Sequence, residues 1–134
     1  MASSWSVNPA AFATQVEEDL TKLNKDIVVK LVEVICEKSP IDTGRFINNH
    51  KISVGTPNYD IYIRYGSTGF EEYSERGNET ARSLAVAVAK IKPYSLVYIQ
   101  NNLHYAEDLE TGTSKQAPRG VYGPSLEVVS EKFK

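Results

Sequence analysis

The sequence predicts an α+β fold with a long N-terminal helix, a small, mainly antiparallel sheet and helices packed on one face of that sheet. Three observations predict it. An apolar stripe at helical spacing occupies residues 12–34, short segments of alternating polarity begin near residue 47, and two further helical patterns follow. At 134 residues the chain has the length of one domain. We expect that domain to span residues 1–134, with residues 1–8 flexible.

The first helix is expected from Pro9 to Lys38. Asn8 is a typical capping residue, Pro9 suits the first helical position, and a helix ends before a residue such as Ser39 that precedes a proline. Such a helix is about 45 Å long at 1.5 Å per residue, whereas a small domain is roughly 30 Å wide. The helix therefore either bends or packs part of its stripe outside the domain. Its C-terminal half is the expected core segment.

Three segments read as strands. Residues 47–54 and 59–64 flank a turn cluster at residues 55–58 and predict a hairpin. Residues 94–99 are apolar on both faces, which predicts a central strand. The order of helical and strand patterns along the chain then gives the α+β class.

Two more helices are expected after the first pair of strands. The first should be capped by Asn78, and the second should begin at Pro124. On the first of them, one face is expected to carry Ala81, Leu84, Ala85 and Val88. On the second, one side is expected to carry Leu126, Val129 and Phe133.

Composition excludes several classes of protein. The chain has 15 basic and 17 acidic residues and a formal net charge of −2, which argues against a free-standing nucleic-acid binder. A surface past which DNA slides should be neutral or acidic, because many phosphate contacts would hold the DNA. Cys36 is the single cysteine, so we expect a buried small hydrophobe there and no disulfide framework or cysteine zinc cluster. No signal peptide or membrane span is predicted, and we expect the chain to be made in the cytoplasm.

No constellation of residues predicts catalysis. His50 and His104 have no partner at metal-site or triad spacing. Because His104 lies near Glu107, Asp108 and Glu110, a small metal-dependent hydrolase is an alternative, against the commoner case of a solvated polar loop. The main prediction is a protein that is not an enzyme and has no catalytic residue, metal ligand or cofactor.

The first candidate contact segment is the turn Asp42-Thr43-Gly44-Arg45. The Asp42 side chain can accept hydrogen bonds from backbone amides two residues on, and Gly44 permits a positive φ. Arg45 would then stand at the start of a strand, where it could pair bidentately with a carboxylate of a neighbouring subunit. The alternative is a plain connector between helix and sheet.

The second candidate segment is the long polar loop at residues 100–120. Asparagines at its start can close the strand end through side-chain to backbone bonds, and a short helical turn is expected near Tyr105. Residues 114–118 read as an extended stretch suited to a partner's sheet edge or groove, although a mobile loop is the alternative. The candidate contact residues of this loop are Asn101, Asn102, Tyr105, Glu110, Ser114, Lys115 and Gln116.

Together the two segments resemble a family of tailed-bacteriophage minor tail and tail-completion (neck) proteins, similar to lambda minor tail protein Z. The resemblance covers roughly residues 9–130. Its first motif is Ser39-Pro40-Ile41-Asp42-Thr43-Gly44-Arg45. Its second motif runs through Asn101-Asn102, Tyr105-Ala106, Leu109-Glu110, Gly112, Ser114-Lys115-Gln116-Ala117-Pro118 and Gly120.

The resemblance implies a structural virion protein with a fold related to phage tail-terminator folds. Such a protein would form a ring, expected to be a hexamer, that joins head to tail and lets DNA pass without sequence-specific binding. The implied partners are further copies of the chain and other neck and tail proteins, such as tail-terminator, tail-tube or head-connector proteins, with no membrane. A phage protein that binds a host partner is the remaining alternative.

Overall fold

The computed structural model describes residues 8–112 and 114–133. The elements are, in chain order, α1 (Pro9–Lys38), β1 (His50–Val54), α2 (Asn78–Val88), β2 (Val97–Asn101), α3 (Ala106–Glu110) and α4 (Tyr122–Lys132). A long N-terminal helix, a small antiparallel sheet and further helices confirm the predicted α+β class. The stretch expected to be flexible lies outside the described residues except for Asn8, which caps α1.

Helix α1 has the predicted bounds. The Asn8 side chain accepts a hydrogen bond from the Ala10 amide at 2.8 Å, and Pro9 occupies the first helical position. The fully buried residues of the helix are Val28, Val32, Val34 and Ile35. Residues 9–19 are exposed throughout. Only the C-terminal half of α1 therefore packs on the core, as its sequence predicts.

The sheet pairs different segments from those expected. Strands β1 and β2 are antiparallel, with Ile52 opposite Ile99, and they form a two-stranded sheet. The predicted hairpin between residues 47–54 and 59–64 is wrong. Residues 59–64 belong to no strand, and β1 starts only at His50 because residues 44–49 form turns.

Strand β2 also differs from its prediction. It begins at Val97 rather than at residue 94, because the Ser95 amide donates to the Lys92 carbonyl and closes a turn there. Tyr94 lies in this turn with φ +64°. Since the sheet has two strands in the described residues, the expectation of a central strand is wrong.

Helix α2 covers the outer edge of β1. The Thr80 hydroxyl accepts from the His50 amide at 3.2 Å, and the Ser83 hydroxyl accepts from the Ile52 amide at 2.9 Å. The Thr80 hydroxyl donates to the Ile47 carbonyl at 2.7 Å, and the Ser83 hydroxyl donates to the Ile52 carbonyl at 3.3 Å. An unpaired strand edge is a site of unwanted association, so these two side chains protect β1.

The buried face of α2 is only in part the predicted one, because Leu84 and Val88 pack against the core but their predicted companions do not. Thr80 and Ala87 are buried, whereas Ala81 and Ala85 are exposed. Asn78 is the first residue of the helix rather than its cap. The face is set by the hydroxyl contacts to β1, which an apolar pattern does not reveal.

Two buried clusters form the core. The first joins α1, β1 and α2 and consists of Val28, Val32, Ile52, Ala87 and Ile91. The second joins α1 to the loops before β1 and after β2, and consists of Ile35, Phe46, Leu103, Ala117 and Val121. Cys36 is half-buried against the first cluster, and burial raises the pKa of its thiol to about 11.

The last helix starts two residues earlier than predicted, at Tyr122 rather than Pro124. Val129 is buried as its pattern indicates, but Leu126 is exposed. None of the helices among the described residues is long and apolar enough to cross a membrane.

Candidate functional site

The two candidate contact segments lie against each other. The Gln116 side chain accepts a hydrogen bond from the Ile41 amide at 2.9 Å and donates to the Ile41 carbonyl at 3.1 Å. This double contact joins positions 75 residues apart in sequence. The turn after α1 and the loop after β2 therefore form one site, which the sequence presents as two.

A groove of about 530 Å³ runs between the two segments. Phe46 and Leu109 supply apolar lining, and Glu71 adds a carboxylate from a third segment that sequence reasoning did not single out. The predicted contact residues that line the groove are Asp42, Thr43, Gly44, Arg45, Tyr105, Ser114 and Gln116. The groove is the place where most of the candidate residues converge.

The turn at residues 42–45 has the predicted glycine conformation but another capping side chain. Gly44 has φ +89°, and a Cβ there would lie 3.1 Å from the Tyr73 Cβ. The Thr43 hydroxyl, rather than the Asp42 carboxylate, accepts the hydrogen bond from the Arg45 amide, at 3.2 Å. Asp42 is exposed, so its carboxylate remains available at the groove.

Arg45 is the most unusual side chain of the groove. Its Nε atom is buried and has no hydrogen-bond partner among the described residues. A buried charged donor without an acceptor raises the free energy of the folded state. A hydrogen bond to Arg45 would therefore be more favourable than the same bond at an open surface. Burial raises the pKa of the neighbouring Tyr105 phenol, although the Arg45 charge lowers it in part, so Tyr105 stays neutral. The groove thus offers donors to an incoming acceptor.

Asn101 closes the end of β2, as predicted, whereas Asn102 binds the backbone of a distant segment. Asn101 donates to the Phe46 carbonyl at 3.0 Å and accepts from the Leu103 amide at 3.2 Å. Asn102 donates to the carbonyls of Asn58 and Asp60 at 2.8 and 2.9 Å. Both side chains therefore hold the chain's own backbone rather than projecting from it.

Glu110 caps helix α4 from a distance. Its carboxylate accepts hydrogen bonds from the amides of Val121, Tyr122 and Gly123 at 2.9, 2.7 and 2.9 Å. Burial alone would raise the pKa of Glu110, but the hydrogen bonds from Gly123, Tyr122 and Val121 outweigh it and hold that pKa below its ordinary value. A Cβ at Gly120 would collide with the Glu110 carbonyl. The acid and the glycine of the second motif therefore have a structural role.

Residues 114–118 are not extended, so this prediction is wrong. The Ala117 amide donates to the Ser114 carbonyl at 3.2 Å, and the Gly120 amide donates to the Ala117 carbonyl at 3.0 Å. Burial of Ala117 in the second cluster and the contact of Gln116 with the first motif fold the segment back. Lys115 is left exposed at the tip of the turn.

Sequence reasoning missed a buried polar cluster around His50. Its Nε2 lies 2.8 Å from the Ser39 hydroxyl, which donates its own hydrogen to the Ile35 carbonyl at 2.6 Å. Nε2 must therefore carry the ring hydrogen, and Nδ1 accepts from the Tyr122 hydroxyl at 2.9 Å. Burial lowers the pKa of His50 to about 3. Through these contacts the Ser39–His50 pair joins α1, β1 and α4. Because both side chains are buried, Ser39 is not an accessible nucleophile.

The alternative metal site near His104 gains no support from the geometry. His104 is exposed, and the Glu110 carboxylate is already bound to the start of α4. Across residues 8–112 and 114–133, no group of three or more histidine, cysteine, aspartate or glutamate side chains could hold a metal ion.

Comparison with known proteins adds no relative. The chain matches no protein-family model, no curated protein and no solved structure.

Proposed function

We propose that this chain is a structural virion protein of a tailed bacteriophage, a ring-forming neck or tail-completion subunit that joins head to tail. The proposal starts from the resemblance of residues 39–45 and 101–120 to that family. The observation that carries it is the convergence of both segments on one groove. Motifs that act together at a subunit contact are expected to share a surface.

The exposed half of α1 supplies a second surface. Phe12 is 60% exposed, and Val16 and Leu23 on the same stripe are exposed as well. A ring contact is heterologous, so each subunit needs two different surfaces that fit each other. We assign the α1 stripe to one side and the groove to the other.

Charge fits the same arrangement. Arg45 needs an acceptor, and α1 carries the exposed acids Glu17, Glu18 and Asp19 beside its apolar stripe. Arg45 lines the groove, so an acid from the next subunit would pair with its guanidinium there. The net charge of −2 suits a ring through which DNA passes without being held.

Substitution of the α1 stripe tests this ring. The double variant F12S/L23S removes apolar surface that contributes little to the core, so we expect loss of the six-subunit species without loss of folding. The variant L126S changes an equally exposed leucine on α4 and serves as the matched control. Mass photometry of the three proteins, with negative-stain images of the wild type, provides the measurement.

Two outcomes would contradict the proposal. One is a wild-type chain that stays monomeric even when tail and connector proteins of the same virion are added. The other is a ring that F12S/L23S and L126S affect equally, because the α1 stripe would then be no contact surface.

A further inference from the structure

Residues 59–65 form an extended ribbon whose outer face is apolar. Tyr59, Ile61, Ile63 and Tyr65 are 75%, 46%, 44% and 65% exposed, whereas Tyr62 between them is half-buried. Asp60 and Arg64 are exposed as well, so the alternation lies in polarity: residues 59, 61, 63 and 65 are apolar or aromatic, and charged residues stand at 60 and 64. This alternation has the period of a strand. The segment therefore presents a row of large apolar side chains to solvent without belonging to the sheet.

The inner edge of this ribbon is held by side chains in place of a neighbouring strand. The Asn49 side chain accepts from the Tyr62 amide at 2.7 Å and donates to the Tyr62 carbonyl at 3.0 Å. Asn102 binds the carbonyls of Asn58 and Asp60. Asn49 is almost fully buried, so the ribbon is fixed on the domain rather than lying loosely across it.

The outer edge of the ribbon is unpaired. The Arg64 carbonyl faces inward, where it accepts from the Glu72 amide at 3.0 Å. Asn58, Asp60, Tyr62 and Arg64 all bind inward, which is the alternation of an extended chain, so we infer that the backbone groups of the residues between them face outward. No hydrogen bond engages the backbone of Tyr59, Ile61 or Ile63 within the described part of the chain. A fixed strand with a free edge is a template for pairing with another strand.

The sequence of the ribbon is complementary to itself. It reads Tyr59-Asp60-Ile61-Tyr62-Ile63-Arg64-Tyr65. In an antiparallel pair with a second copy centred on Tyr62, each tyrosine at one end meets the tyrosine at the other, and Ile61 meets Ile63. Asp60 meets Arg64 twice, once on each side of the centre. Both charged residues are exposed, and neither takes part in an ion pair between described residues.

We propose that this edge binds the same edge of a second copy of the chain, as an antiparallel strand pair with two-fold symmetry about Tyr62. In an antiparallel pair, the outward-facing residues of one copy must lie opposite outward-facing residues of the other. This allows the two-fold axis of the pair to pass through Ile61, Tyr62 or Ile63. Only the centre at Tyr62 places Asp60 opposite Arg64. In that register the two charged residues form a non-hydrogen-bonded pair, whose Cα atoms lie about 4.5 Å apart and whose side chains are close.

This contact is separate from the proposed ring. It is isologous and closes at two copies, whereas ring contacts are heterologous and use the groove and α1. The inference does not rest on the proposed function. Two rings could meet through it, and a pair of copies could form without any ring.

Charge exchange between positions 60 and 64 tests both the contact and its register. Two copies of D60R, or two copies of R64D, would place like charges opposite each other at both positions of the pair. We therefore expect the dissociation constant of the dimer to rise at least about tenfold for each variant. Mixing D60R with R64D makes both cross-pairs complementary again. The double variant D60R/R64D does the same within one chain, and both preparations should regain wild-type association.

Sedimentation velocity over a concentration series gives the measurement, with E75R as a control that reverses an exposed charge outside the ribbon. Circular dichroism checks that each variant is folded. The proposal is overturned if the wild type does not pair, if D60R and R64D pair as the wild type does, or if mixing them restores nothing. If D60R loses the dimer but still forms rings, the proposed function is unaffected. If the wild type forms dimers but no rings, the result contradicts the proposed function and not the strand pairing.

Discussion

Single polar side chains define much of this structure by binding backbone groups far away in sequence. Asn49 holds Tyr62 across 13 positions, Asn102 holds Asn58 across 44 positions, and Thr80 binds the β1 backbone. The closure of β2 by Asn101 could be predicted because its partner, the Leu103 amide, is near in sequence. The longer contacts could not, since an asparagine has the same appearance in a sequence whether it binds solvent or a distant strand.

His50 should make stability depend on pH. Burial lowers its pKa to about 3 from an ordinary value of 6.5, so between these values the unfolded chain binds more protons. The free energy of unfolding should therefore fall as pH decreases from about 6.5 toward 3, by at most about 1.4 kcal/mol per pH unit. Urea unfolding at a series of pH values should show this slope in wild type and in H104Q, which changes the exposed histidine. The same slope in H50Q would show that His50 is not its source.

Among the elements, helices were easier to predict than strands. The bounds of α1 follow from its cap, its stripe and Pro40, all of which are local. Pairing of β1 with β2 joins distant segments, and residues 59–65 alternate as clearly as a sheet strand does. Their outward face has no partner within the described chain, so the pattern predicted a strand and a hairpin where the structure has neither.

Glu110 should stabilise the start of α4. Its carboxylate accepts three amide hydrogen bonds, so E110A should lower the free energy of unfolding by about 1–2 kcal/mol. E107A, which removes an exposed acid from α3, should change it by no more than about 0.5 kcal/mol. Equal effects of the two substitutions in urea unfolding would mean that the cap contributes nothing specific. Because the pKa of Glu110 is lowered, the effect of E110A should shrink as pH falls through that value.

At the scale of the whole molecule, the sequence singled out the two segments that line the groove, but it did not separate the roles of their residues. Gln116, Glu110 and Asn101 bind the chain's own backbone. Asp42 is exposed and Arg45 lines the groove, so these side chains can meet a neighbour. A motif records which residues act together, whereas only the structure separates those that build the groove from those that face outward.

The central proposal, a ring-forming subunit of a phage virion, is tested most directly by whether the chain is present in such virions, and at what position and copy number. Cryo-electron microscopy of the intact virion, with a label fused to the chain, would give all three. We predict six copies in one closed ring, which lies at the junction of head and tail and surrounds the path of the DNA. Virions assembled without the chain, or a chain found only bound to a host protein, would contradict that role.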